Sequence, residues 1–268
     1  MKRVTLLLAL LAVSAAAIDI PRAGFVRDSQ GRVTAINGIA GNFVSGDTQA
    51  SDTVAFSWNG AYGLRKTGAA IEWWDASGTP VTTLEAGIGL SGGDAVIGLT
   101  SDPSIAFLYS KSVSALCQLR ANPWRLQQVP VVLSDQEEVL GLTGGRDSVT
   151  IALRRAPSAG GEASLFLTTF DLSSGTRTAE LPSARTASQV LFLNNGGALA
   201  GIDGSTIWIT NPNGSEWTSD TGVSLSSLAW MGRDWIAVQA ADGTQQFALR
   251  VRAGSDPQLY ILPQAAIQ

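Results

Sequence analysis

The chain has 268 residues, 45% of them hydrophobic and 15% charged, with a formal net charge of −4. So acidic and sparsely charged a chain is a poor partner for phosphate backbones or anionic lipid, and nucleic acid is not an expected partner. It has no histidine and one cysteine, which excludes Ser-His-Asp and Cys-His catalysis, imidazole metal sites and a disulfide within the chain.

Residues 1–17 read as a secretory signal peptide. Lys2 and Arg3 precede the apolar run Thr5 to Val13, and Ser14-Ala15-Ala16-Ala17 offers an Ala-x-Ala site with cleavage expected after Ala17. The apolar run is shorter than the roughly 20 residues of a membrane span, and no later stretch replaces it. The mature chain, 18–268, is therefore expected to be exported (periplasmic or secreted), soluble and monomeric. Loss of Lys2 and Arg3 takes its formal charge to −6.

Next comes a hairpin, Gly24 to Ile36, in which Asp28 follows a strand and Gly31 ends the turn. It matches Glu72-Trp73-Trp74-Asp75-Ala76-Ser77-Gly78 and Thr169-Phe170-Asp171-Leu172-Ser173-Ser174-Gly175 further on. The match predicts the outer half of a blade.

Five copies of one pattern follow, each an apolar run, a Gly/Asn/Asp turn and a second apolar run. They begin at Phe56, Leu99, Leu142, Phe192 and Trp230, in steps of 43, 43, 50 and 38 residues. A period of about 40–45 residues with four strands per unit marks a β-propeller. The first unit predicts strands Thr53–Trp58, Tyr62–Lys66, Ala70–Trp74 and Pro80–Leu84, with a hairpin turn at Asn59-Gly60. The second predicts Ala95–Thr100, Ile105–Ser110, Val113–Leu119 and Leu126–Val132. The third predicts Val139–Leu142, Val149–Arg154, Ser164–Phe170 and Arg177–Leu181, lengthened by a loop at 156–162. The fourth predicts Gln189–Leu193, Leu199–Ile202, Thr206–Thr210 and Glu216–Thr218. The fifth predicts Leu225–Trp230, Trp235–Gln239, Gln246–Val251 and Gln258–Leu262. Helical periodicity is nearly absent. The expectation is an all-β propeller of five four-stranded blades with an N-terminal hairpin as clasp; the alternative is an incomplete sixth blade.

Phe56-Ser57-Trp58-Asn59-Gly60-Ala61-Tyr62-Gly63-Leu64 and Phe192-Leu193-Asn194-Asn195-Gly196-Gly197-Ala198-Leu199-Ala200 carry a resemblance. The chain resembles the exported bacterial WD40-like (TolB/YVTN-type) propeller proteins over about residues 24–263. It departs from them in lacking the proline of the inner-strand pattern and the Gly-His and Trp-Asp blade marks. The resemblance implies a fold that presents a surface to partners; no residue role carries over.

The chemical motifs are weak. Gly89-Leu90-Ser91-Gly92-Gly93 spells a nucleophile elbow, but lies between units and has no histidine partner. Oxygen ligands alone would suit calcium, yet Asp203-Gly204-Ser205-Thr206 supplies one carboxylate. Asp28, Asp75 and Asp171 could form a rim of carboxylates, but capping of their own turns is the simpler role. Asp135, Glu137 and Glu138 read as a solvated loop. Cys117, alternating with Val113, Ala115 and Leu119, reads as a buried thiol. Trp58, Trp124, Trp217 and Trp235 flank turns, and as candidate binding aromatics would stack on sugars or hold a protein if exposed. No cofactor is implied. The expected function is a non-catalytic binding or scaffolding module for a protein or glycan. The alternative is a carbohydrate-active hydrolase or lyase using Asp/Glu in the central channel.

Overall fold

The computed structural model describes residues 20–85, 90, 92–156, 163–193 and 197–263. The signal peptide, the loop at 157–162, and Gly89 and Ser91 of the Gly89–Gly93 string lie outside the described residues.

The chain forms six antiparallel sheets. The first blade is β1 (Arg22–Arg27), β2 (Val33–Ile39) and β3 (Asn42–Ala50). The second is β4 (Ala55–Trp58), β5 (Gly63–Lys66), β6 (Ala70–Trp74) and β7 (Pro80–Glu85). The third is β8 (Ala95–Leu99), β9 (Ile105–Ser110), β10 (Ala115–Arg120) and β11 (Arg125–Gln128). The fourth is β12 (Glu137–Gly144), β13 (Ser148–Arg155), β14 (Ser164–Asp171) and β15 (Arg177–Pro182). The fifth is β16 (Gln189–Leu193), β17 (Ala198–Asp203), β18 (Thr206–Thr210) and β19 (Glu216–Asp220). The sixth is β20 (Leu225–Gly232), β21 (Trp235–Ala240), β22 (Gln246–Arg250) and β23 (Gln258–Ile261). The five predicted units are the second to sixth blades, and each holds its four predicted strands; in the third blade the outer strands are shorter than predicted, β10 starting at Ala115 rather than Val113 and β11 ending at Gln128 rather than Val132. The ring has six blades, not five. The N-terminal segment is a blade of three strands, because β3 extends the predicted hairpin.

Strand β9 shows why the blades must stack. All six of its residues are buried. Side chains alternate across a strand, so Phe107 and Tyr109 face Val139, Ile151 and Phe170 of the fourth blade. Ala106 and Leu108 face Leu64, Ile71 and Trp73 of the second. The same division recurs around the ring. Leu140 and Ala152 meet Val190 and Trp208; Leu191 and Ile202 meet Leu228 and Val238. Phe25 and Val33 meet Phe56 and Trp74, and Met231 and Leu262 meet Val26 and Ile36. Six clusters thus fill six blade interfaces. Polar ties cross them too. The buried Tyr62 hydroxyl donates to Ile105 O at 2.8 Å and accepts from Thr100 N at 2.6 Å, and burial pushes its pKa up to about 12.

Strand direction separates the first blade from the rest. The starts of β4, β8, β12, β16 and β20 gather at one end of the axis, the upper face. Strand β1 runs the opposite way. Its C-terminal Arg27 donates to Thr53 O, ahead of β4, at 2.7 Å. At its other end Ala23 and Gly24 lie against Gly232 and Met231 at the end of β20. The first blade therefore has second-, third- and fourth-strand directions and lacks an innermost strand. The Gly24–Ile36 hairpin, predicted as the outer half of a blade, is its inner pair.

Among the described residues no strand is shared across the seam between the first and sixth blades. Packing closes the ring instead. A Cβ on Gly24 would sit 1.6 Å from Met231 O, and one on Gly232 would sit 2.1 Å from Ala23 O. Gln246 Nε2 donates to Arg27 O at 3.0 Å, and Ser45 Oγ to Pro263 O at 3.2 Å.

On the fourth blade, Glu137 is not a solvated loop residue. Its side chain is 2% exposed and pairs with Arg155 at 2.9 Å and with Arg177. Burial alone would raise its pKa. Hydrogen bonds from Arg177, Ser134 N and Arg155 outweigh that and hold the carboxyl at about 2.

Gly24→Ala should lower unfolding free energy by about 2–3 kcal/mol in urea melts, because a backbone carbonyl cannot move aside as a side chain can. Gly145→Ala, where nothing lies within 4 Å, should stay within about 0.5 kcal/mol. A depressed folded-state pKa gives stability that is present above the unfolded carboxyl range and lost as pH falls toward the folded value. The Tm of the native protein should therefore drop more between about pH 5 and pH 2.5 than that of Glu137→Gln. Parallel curves would show that Glu137 is not the group responsible.

Candidate functional site

The axial cavity holds about 130 Å³ and is bounded by β1, β4, β8, β16 and β20, with Arg27 as the one charged side chain in its lining. Ligand pockets usually run about 300–1,000 Å³, and a glycosidase needs two carboxylates about 5–10 Å apart. At the upper mouth stand Asp94 and Lys111. Lys111 also pairs with Glu138 at 3.5 Å, and Glu138 pairs with Arg154. Among the described residues no group of three or more Cys, Asp and Glu side chains could hold a metal ion.

The three turn aspartates do not form a rim. Asp28 Oδ1 accepts from Gln30 N and Arg32 N at 2.9 Å. Asp75 Oδ1 accepts from Ser77 N at 2.9 Å and Thr79 N at 3.0 Å. Asp171 Oδ1 accepts from Ser173 N at 3.1 Å and Ser174 N at 2.9 Å. Each caps its own turn. The turns also lie on opposite faces: Asp28, beside Gly243 and Thr244, is on the upper face, because β1 is reversed. The local signal Asp-x-x-Gly fixes a turn but not the side of the ring that carries it.

The four tryptophans differ in placement. Trp58 is 6% exposed; its Nε1 donates to Asp75 O at 2.9 Å and its ring meets Phe25 edge to face at 5.0 Å. Such a ring is an inter-blade anchor and has no open face to offer. Trp124 is half-buried and tilts over Trp73 at 4.8 Å. Trp217 is half-buried against the core between the fifth and sixth blades. Trp235, also half-buried, meets Phe43 at 5.2 Å and Tyr260 at 5.8 Å, and the Arg250 guanidinium lies 5.6 Å from its ring centre.

Trp58 and Trp235 do share one feature. Both line a cavity of about 490 Å³ on the lower face, where the first, second and sixth blades meet. Its charged residues are Arg22, Arg233, Arg250 and Asp234. Arg22 opens β1, Arg233 and Asp234 form the turn between β20 and β21, and Arg250 ends β22. Sequence reasoning did not find these arginines. They are scattered singly along the chain, and ring closure alone assembles them.

Cys117 is buried between the second and third blades, as its alternation with Ala115 and Leu119 suggests, and burial pushes its thiol up to about 11. Val113 stands apart from that face: it precedes β10 and is exposed. Cys117 should react with a thiol-specific disulfide reagent only after unfolding. Stoichiometric labelling of the native protein within minutes would contradict its burial.

No family model and no curated protein matches the chain. Solved structures do. The chain is similar to one in the crystal structure of a nidogen/laminin complex, with a TM-score of 0.56 and 11% identity, covering 89% of this chain and 96% of that one. It is similar to the β-propeller domain of Myceliophteria thermophila Cps50 (Swd1), with a TM-score of 0.51 and 10% identity, covering 91% and 88%. The Neurospora crassa Pan2 WD40 domain also matches, at a TM-score of 0.45 and 10% identity over 92% and 90%. At such identities the likeness is one of fold, a β-propeller.

Proposed function

We propose that this protein is an exported, non-catalytic binding module that holds a protein partner on a face of the propeller. The observation that carries the reading is the contrast between axis and lower face. The axial cavity is small and has no carboxylate pair in its lining, whereas the lower-face cavity is several times larger. A protein partner is preferred to a glycan because sugars bind by stacking on open aromatic faces, while Trp58 is buried and Trp235 already meets Phe43, Tyr260 and Arg250. The nidogen/laminin structure, one chain of which shares this fold, is by its description a complex. Export rests on the leader-like residues 1–17.

The test is affinity capture with the mature chain as bait, followed by reconstitution with the purified partner. A single protein is expected to be retained stoichiometrically at about 0.15 M salt, where weak surface electrostatics are screened. The mature N-terminus should be Ile18. Turnover of a glycan in a substrate screen, without any stoichiometric partner, would overturn the binding reading. An N-terminus still at Met1 in the purified native protein would overturn export.

A further inference from the structure

The lower-face cavity carries an excess of positive charge in a chain whose formal charge is −4. Arg22, Arg233 and Arg250 line it against the single acid Asp234. Among the described residues no carboxylate lies within 4.0 Å of any of the three guanidinium groups. Arg32, Arg65, Arg154, Arg155, Arg177 and Arg185 have acidic partners; among the described residues Arg27, Arg120, Arg125, Arg146 and Arg252 share the lack of one, but only Arg22, Arg233 and Arg250 converge on a single cavity.

Each of the three is held in place without being neutralised. Arg22 Nη1 donates to Ser77 O, and its guanidinium lies 5.0 Å from the Phe25 ring centre. Arg250 lies over Trp235, and its Nε is buried without an acceptor. Arg233 is exposed, but its backbone is wedged against the second blade: a Cβ on Gly60 would lie 2.8 Å from Arg233 N. The turn that carries Arg233 is thereby fixed in the cavity wall.

We propose that this cavity binds the carboxylates of a short acidic segment of a protein partner. Guanidinium forks match planar carboxylates and keep their charge at any physiological pH. The inference rests on the binding-module reading and gives it a site and a ligand chemistry. A long polyanion is disfavoured, because the remaining surface of an acidic chain repels it beyond the cavity. A sugar acid is disfavoured for the reason given above: neither tryptophan offers a free face.

The experiment measures fluorescence anisotropy of a labelled, end-blocked hexaglutamate peptide against the mature protein, with hexaglutamine as the neutral control. Saturable binding to hexaglutamate is expected, at least about tenfold tighter than to hexaglutamine and weakening as salt rises. Arg233→Glu should weaken it by about tenfold or more. That residue is exposed, so an unchanged thermal melt will establish that the variant is folded. Arg250→Gln, which keeps most of the packing on Trp235, should weaken binding as well. Equal affinity for the two peptides, no binding, or unchanged affinity in both variants would overturn the proposal. Tighter binding of trigalacturonate than of hexaglutamate would overturn the peptide assignment. The two readings fail separately. A captured partner that binds Arg233→Glu normally removes this site and leaves the module intact. Hexaglutamate binding in a protein that retains no partner leaves the site and removes the module.

Discussion

Each blade is a small sheet with two apolar faces, and it can bury both only between two neighbours. Trp73 and Trp74 show this at adjacent positions of β6: Trp73 packs toward the third blade and Trp74 toward the first. An open row of such sheets would leave two apolar faces in water, at roughly 25 cal/mol for each Å² exposed. Closure into a ring removes both ends at once. The rest of the architecture answers to that requirement, including the extra blade at the N-terminus. Five blades would have left the Phe56 and Trp58 side of the second blade to meet the Ala248 and Met231 side of the sixth. Phe25, Val26, Val33 and Ile36 stand between them and serve both.

That wedge is built economically. It lacks an innermost strand, so β4 and β20 come into contact across the gap beside β1. With no strand shared between the chain ends, the seam depends on close backbone approach at Gly24 and Gly232 and on side-chain hydrogen bonds from Gln246 and Ser45. Reversal of β1 brings Arg22 to the lower face, where a strand of ordinary direction would have brought its other end. The seam is thus both the mechanical join of the ring and the place where Arg22, Arg233 and Arg250 converge. Joining and binding draw on the same local geometry.

Much of the fold was legible residue by residue. Gln189–Leu193 and Thr206–Thr210 fall where alternation and turn residues put them, and Ala70–Trp74 likewise. Those signals are local: two-residue periodicity and the positive-φ tolerance of Asn, Asp and Gly at turns. Strand β3, Asn42–Ala50, was not found. It is an outer strand with mostly exposed residues and bulged pairing to β2, so it has no clean alternation. Glu137 was misread for a similar reason. A buried carboxylate differs from a solvated one through Arg155 and Arg177, and the residue itself carries no sign of them. Of the candidate aromatics, Trp58 and Trp235 do line the lower-face cavity, but Trp58 does so as a buried anchor.

The sequence by itself determined that the chain would be short strands in repeated sheets, each apolar on both sides and so obliged to stack. It determined too that histidine chemistry and internal disulfides were out of reach. Only the tertiary structure decided that the ring holds six blades, that β1 runs against the other inner strands, and that three arginines from opposite ends of the chain share one cavity. The physical reason is range. Alternation and turn preference act over a few neighbouring residues, whereas blade number, strand direction at the seam and the pooling of charge are settled by which faces meet when the circle closes.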